Sequence, residues 1–251
     1  MIAEMREKGL DATVFFYNPN IHPRKEYEIR KEENKRYAAE LGIGFVDADY
    51  DTDEWHARAE GMELDPERGA RCSMCFDMRM ERTVAYAAAH GFGCFTTTNA
   101  TSRWKSIAQV NEAGVRAAQR FADEATQRGD ASAAPVYWLY DWQTDAMTRR
   151  KYEISADQRF YKQEYCGCAH SLRDSNAWRK REGIPAVRIG GQTAGMGTRY
   201  FEDAEADAEE ESQEVVDAFF KDAEDGGLLT AANRNQYHQK LDARTEQVPS
   251  W

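Results

Sequence analysis

Apolar and polar positions along the chain switch period in a regular order. A short run rich in β-branched and aromatic residues, "ATVFFY" (12–17), reads as a strand that "NPN" stops. Pro23 then opens a helix, "PRKEYEIRKEENKRYAAELG", closed by Gly42, with Glu26 and Arg30 spaced to pair on its face. "IGFVDAD" (43–49) is a second strand, followed by an acidic loop and a turn around "DPERG". A helix over about 73–90, a strand "FGCFTTT" (92–98) and a long helix over about 103–122 come next. "QRGDASAAP" is a loop, and "VYWLYDW" is aromatic and polar. "EISADQRFYKQEYCGCAHSLRDSN" reads as a helix, a tight cysteine turn and a second helix.

Alternating helices and strands predict an α/β fold with a mainly parallel sheet. Ligands of such sheets bind beyond the carboxyl ends of the strands. Those ends are "YNPNIH", "DADYD" and "TTTNATSRWK", all polar. Composition shifts near Ile189, where "RIGGQTAGMGTRYF" precedes the acidic run "FEDAEADAEEESQE". Two parts are expected: an α/β domain over 1–189 and an acidic, partly helical extension over 190–251. "GGQTAGMG" lacks the endings and spacings of phosphate loops and reads as a flexible segment.

The chain has 251 residues, enough for a full core, and a net charge of −11, which argues against non-specific nucleic-acid binding. No run of 18 apolar residues occurs and the first residues lack a signal-peptide pattern, so a cytosolic protein is expected. In that reducing compartment, spaced cysteines point to metal or redox chemistry rather than disulfides.

Five cysteines are present. Cys72 and Cys75 form C-x-x-C at a helix start; Cys166 and Cys168 form C-x-C around Gly167, which lets the backbone turn tightly. Two thiol pairs suit zinc or an iron–sulfur cluster; thioredoxin-like use of C-x-x-C would leave the second pair without a role. Cys94, alone in an apolar strand, reads as a small buried hydrophobe. Asp47, Asp49 and Asp51 imitate a calcium loop, but Thr52 and Arg58 stand where that loop needs glycine and glutamate. His22 and His170 are candidates for a common site. "TSRWKSIAQVN" begins a helix, with Ser102 as cap and Arg103 and Lys105 adding charge, a pattern suited to an anion.

With these residues in view, the chain resembles the QueH family of cobalamin-independent epoxyqueuosine reductases. The resemblance rests on "FFYNPNIHPRKEYEIRKEE", "YDTDEW", "ERGARCSMCFDMRMERT", "TTTNATSRWKS" with "QVNEAG", and "FYKQEYCGCAHSLRDSN", in that order, over 12–176. It implies a Rossmann-like fold of the nucleotide-alpha-hydrolase type. It also implies reduction of epoxyqueuosine to queuosine at the tRNA wobble position, with a [4Fe–4S] cluster and a nearby metal ion, iron. Cys72, Cys75, Cys166 and Cys168 match two of the family's cysteine groups. The third, an adjacent pair of the form C-C-x-P after an N-terminal strand, has no counterpart here. The expectation is therefore that the natural protein starts upstream, with a degenerate, inactive paralogue as the other account.

The chemistry implied needs two electrons, two protons and activation of a C–O bond. Asp77 is the candidate oxygen ligand or proton donor, against a plain ion pair with Arg79 or Arg71. Tyr165 is a second candidate proton donor, against simple packing. Asn18, Asn20 and His22 at one strand end, and Ser102, Arg103 and Lys105 at another, are candidate nucleotide contacts. Trp104, Tyr17 and Trp55 are candidate stacking partners for a splayed anticodon base. The partners implied are the tRNA and an unidentified electron donor, with no membrane. Binding tRNA at this net charge requires the acids to lie away from the strand-end face. The competing readings are a zinc-stabilised, non-enzymatic RNA-binding module and an ATP-dependent base-activating enzyme, whose S-G-G-x-D-S-type loop is absent.

Overall fold

The computed structural model describes residues 1–129 and 134–190. The glycine-rich segment and acidic extension expected beyond residue 190 lie outside the described residues. The described chain runs α1 (Ile2–Glu7), β1 (Thr13–Phe16), α2 (Arg24–Glu40), β2 (Gly44–Asp47), α3 (Thr52–Ala59), α4 (Ala70–Ala89), β3 (Cys94–Phe95), a 3-10 turn (Thr98–Thr101), α5 (Ile107–Gln127), β4 (Val136–Tyr137), α6 (Asp145–Asp157) and α7 (Ala169–Arg181). The α/β class with parallel pairing holds. The pairing itself is confined, among the described residues, to two ladders of two strands. β1 pairs with β2 from Thr13 opposite Gly44 to Phe16 opposite Asp47, and β3 pairs with β4 at Cys94–Val136 and Phe95–Tyr137.

Two compact units divide the chain. Among the described residues, the first comprises Met1–Pro19 and Lys31–Phe160; the second comprises Asn20–Arg30 and residues 161–190. In the first, α4 and α5 pack together through Phe76, Met80 and Val84 on one side and Val110, Ala113 and Ala117 on the other. Phe95, Tyr137 and Trp142 complete this core. Burying each large apolar side chain stabilises by about 1.5–3 kcal/mol. Small residues on α5 bring β4 close: a Cβ on Gly114 would come within 2.4 Å of ring carbons of Tyr137. Tyr137 is also tied to α5 by its hydroxyl, which donates to Asn111 Oδ1 at 3.1 Å.

The second unit has its own small core of Ile29, Tyr165, Leu172, Val187 and Ile189. Asn176 Oδ1, on α7, accepts the Val187 N–H at 2.8 Å and so fixes the returning chain.

Two local expectations are corrected. The acidic stretch after β2 is not a loop but α3, because Trp55 and Ala59, four apart, are both buried and give it an apolar stripe. The long helix starts at Ile107, not near 103. Its cap is Ser106, whose hydroxyl accepts the Gln109 N–H, while Ser102 lies in the extended segment before it. The helix N-terminus is therefore displaced from Arg103 and Lys105.

Candidate active site

The C-x-x-C pair stands in the first two turns of α4. The turn leading into it is held at several points. Asp65 Oδ2 accepts the Arg71 N–H at 3.1 Å, satisfying one of the helix's open donors. The Arg71 guanidinium, only 1% exposed, donates to the carbonyls of Met62 at 2.8 Å and Glu63 at 3.0 Å. Gln109 reaches across from α5: its Nε2 donates to the Arg68 carbonyl at 3.2 Å, the Gly69 carbonyl at 3.1 Å and Ser73 Oγ at 2.6 Å. Arg68 adopts a φ of +66°, and its N–H points at Cys72 Sγ, 3.2 Å away. A donor of this kind suits a sulfur that carries negative charge. Cys72 is half-buried and Cys75 buried.

Further along α4, Asp77 is paired with neither Arg79 nor Arg71. Its Oδ1 accepts from Arg116 Nη2 of α5 at 2.8 Å. Arg79 instead donates to Oδ1 of Asn18, just past β1, at 2.7 Å. The acids of the second strand end are engaged separately: Asp47 by Lys31, Asp49 by Arg82, and Asp51 by the Tyr17 hydroxyl. Burial, reinforced by Asp51, pushes the Tyr17 phenol well above its ordinary range.

The segment 101–105 is anchored to the same turn. Ser102 Oγ accepts the Trp104 N–H at 3.3 Å, and Arg68 Nε donates to the Trp104 carbonyl at 3.1 Å. Arg103 is exposed, Lys105 half-buried. The first unit thus brings Cys72 and the 102–105 segment together through one arginine, Arg68.

In the second unit the C-x-C turn is wrapped by residues 20–30. Gly167 takes a φ of +118°, and a Cβ there would meet Arg30 Nη1 and Ile21 Cγ1 at 3.0 Å and Asn20 Nδ2 at 3.4 Å. Only glycine fits that turn without strain. Arg30 donates to the carbonyls of Cys166 at 3.0 Å and Tyr165 at 3.1 Å, and pairs with Glu26 at 2.7 Å. Glu26 is 0% exposed and also accepts the Tyr161 hydroxyl at 2.6 Å. The Gly167 carbonyl accepts the His22 N–H at 2.7 Å, and the Tyr165 hydroxyl donates back to the His22 carbonyl. Burial raises the Tyr165 phenol far above its ordinary value, so it stays protonated. Cys168 caps α7, its Sγ accepting the Ser171 N–H at 3.3 Å; Ser171 Oγ in turn accepts the Cys166 N–H at 3.4 Å. Asn20 is buried, with Oδ1 lacking a partner among the described residues. His170 is buried and His22 half-buried.

Asn20, His22, Tyr165, Cys166 and Cys168 thus surround one turn, while Asn18, Cys72, Cys75, Asp77, Ser102, Arg103 and Lys105 belong to the other unit. All five cysteines are thiols rather than disulfides; Cys94 is half-buried in β3. Among the described residues no three His, Cys, Asp or Glu side chains gather to hold a metal ion by themselves. What the chain offers is two thiol pairs, each with a sulfur receiving a backbone N–H and each backbone anchored by a buried arginine, Arg71 or Arg30. That donor chemistry fits half of a thiolate ligand set in each case. The anchoring residues Arg68, Gln109 and Arg30 were not singled out as site residues from sequence. The pairing of Glu26 with Arg30 was legible, but its grip on a turn more than a hundred residues away was not.

Comparison with known proteins adds a separate line. A family model described as epoxyqueuosine reductase QueH matches residues 1–174. The chain is 52% identical over 182 residues to an epoxyqueuosine reductase QueH of Haemophilus influenzae, covering 72% of this chain and 70% of that one. It is 50% identical over 182 residues to the QueH of Acinetobacter baylyi, covering 72% and 78%. A more distant likeness, 29% over 185 residues, links it to the QueH of Streptococcus pyogenes, covering 71% and 65%.

Proposed function

The chain belongs to the epoxyqueuosine reductase QueH family and is an oxidoreductase, and on that premise we propose that it reduces epoxyqueuosine to queuosine at the wobble position of tRNA. The observation that carries the reading is the family match spanning the C-x-x-C turn. Its support from the structure is the way both thiol turns are built and held.

The reaction converts an epoxide to an alkene: two electrons and two protons enter, both C–O bonds break, and the oxygen leaves as water. Cys72, Cys75, Cys166 and Cys168 are the residues that would hold a [4Fe–4S] cluster, which when bound supplies electrons singly. A second metal ion, iron, would act as a Lewis acid toward the epoxide oxygen.

The chain's own groups do the rest. Asp77 stands two residues beyond Cys75 on the helix that carries both cysteines, and Arg116 orients its carboxylate. It is the proposed metal ligand or proton carrier. Asn18, held by Arg79, offers its amide to the nucleotide. In the other unit Asn20 offers a carbonyl oxygen that has no partner among the described residues, and His22 stands beside it in sequence. Tyr165, whose proton is committed to the His22 carbonyl, shapes the turn. Ser102, Arg103 and Lys105 complete the proposed nucleotide contacts.

The partners proposed are tRNA bearing epoxyqueuosine and a one-electron donor, and the location proposed is the cytoplasm. No described helix is long and apolar enough to cross a membrane.

The test is direct. Full-length protein, purified anaerobically and loaded with iron and sulfide, is mixed with epoxyqueuosine-tRNA and a chemical reductant. Nucleoside mass spectrometry is expected to show loss of one oxygen atom from the modified base. An unchanged nucleoside with protein that retains its iron would overturn the reading. Stoichiometric zinc without a reducible chromophore would favour the RNA-binding module.

A further inference from the structure

Three aromatic side chains were candidates for stacking on a base, and the structure separates them. Trp55 is fully buried and Tyr17 is buried with its hydroxyl on Asp51. Trp104 is 42% exposed. A large exposed indole on a loose loop would be unremarkable, but this loop is pinned. Ser102 Oγ and Arg68 Nε hold both backbone groups of Trp104. Gln143 Nε2 donates to the Ser102 carbonyl at 3.2 Å, and Lys151 Nζ donates to the Thr101 carbonyl at 3.2 Å. The Arg103 guanidinium stands 4.4 Å from the centre of the indole ring. Among the described residues Arg103 makes no ion pair with an acid. The backbone is fixed in advance while the indole and a cation not neutralised by a described acid remain outside, so little ordering is left to do on binding.

We infer that Trp104 with Arg103 is a stacking platform for an unpaired nucleobase of the RNA substrate, the indole meeting the base and the guanidinium its adjoining phosphate. The inference rests on the proposed tRNA reductase reading and names a residue that binds its substrate. The platform sits on the same anchor as the thiol turn, since Arg68 bonds both Trp104 and Cys72. It also answers the charge difficulty. At a net charge of −11, long-range attraction of a polyanion is unfavourable, and stacking works without it.

The experiment measures the dissociation constant of full-length protein for epoxyqueuosine-tRNA over a range of salt concentrations. Trp104→Ala is expected to raise Kd about ten- to hundredfold at every salt concentration, leaving the salt slope unchanged. Trp104→Phe is expected to keep most of the affinity, and Trp104→Leu, which retains bulk without a π-face, is expected to lose it. Arg103→Ala is expected to raise Kd and flatten the slope. Melting temperatures equal to wild type exclude misfolding; should Trp104→Ala be unstable, the phenylalanine and leucine pair decides alone. If the wild type binds and reduces this tRNA while Trp104→Leu binds as well as Trp104→Phe, the platform is wrong and the reductase reading stands. If the wild type neither binds nor reduces it, both fall.

Discussion

The guanidinium of Arg30 holds the backbone carbonyl of Cys166 at 3.0 Å, across 136 residues of sequence. The same group satisfies buried Glu26, so one side chain links a buried carboxylate to the cysteine turn. Arg30→Ala would leave that carboxylate without its cation. We expect a loss of about 3–5 kcal/mol of stability, measured by urea denaturation. Arg30→Lys keeps a charge for Glu26 but cannot grip two carbonyls in a planar fork. It should be milder in stability, yet it should speed alkylation of Cys166 in the metal-free protein; unchanged alkylation would show that the turn holds without the fork.

Gly167→Ala is expected to be costly twice over. The backbone sits at φ +118° and the new methyl would press on Arg30 and Ile21. A loss of about 1–3 kcal/mol follows from the strained conformation alone. Iron content per chain after reconstitution should fall with it. Normal content and normal denaturation would contradict the account of the turn.

Gln109 ties α5 to the start of α4 through three acceptors. Gln109→Leu removes the two N–H groups that these three acceptors share and leaves two carbonyls facing an apolar group, at about 1–3 kcal/mol. Gln109→Glu turns a donor into an acceptor against those carbonyls and should be worse. The order leucine milder than glutamate, read from denaturation midpoints, is the specific check; the reverse order would mean the amide does not act as donor.

Alkaline pH should unfold the protein cooperatively. Tyr17, Tyr161 and Tyr165 each have a phenol raised above the ordinary value of 10.0, burial being the first cause in each case. The unfolded chain loses these protons near pH 10, the folded chain only higher. Their stabilisation is therefore complete below about pH 10 and declines as pH climbs toward the folded-state values. Titration of tyrosinate absorbance should show these phenols ionising in one step together with loss of helical circular dichroism. Ionisation without unfolding would contradict their burial.

Much of the order of elements was legible because it is local. The apolar runs around Phe16 and Phe95 and the Pro23-to-Gly42 helix need only near neighbours to declare themselves. α3 was hidden because Trp55 and Ala59 are its two buried positions, and acids flank them. The start of α5 was misplaced because Ser102 and Ser106 both qualify as caps, and tertiary bonds decide between them. Arg68 binds Trp104 and Gln143 binds Ser102, which draws the first serine into an extended segment. At the site, the cysteines announced themselves by spacing. The residues that hold them did not, since Gln109 acts over a separation of 40 residues and Arg30 over 135. A separation of that length leaves no periodic trace in a sequence.

That same separation sets a schedule during synthesis. Residues 20–30 leave the ribosome well over a hundred residues before the cysteine turn they wrap. At about 5–20 residues per second the wait is on the order of 10 s. Throughout it Glu26 has its helical partner Arg30 but no turn to clamp, and the segment is open to solvent or to chaperones. Cys72 and Cys75, whose anchors Asp65, Arg68 and Gln109 all lie within 45 residues, are emplaced first. The turn of Cys166 and Cys168 can close on Arg30 only once this later stretch has emerged, so the second thiol pair is held later than the first.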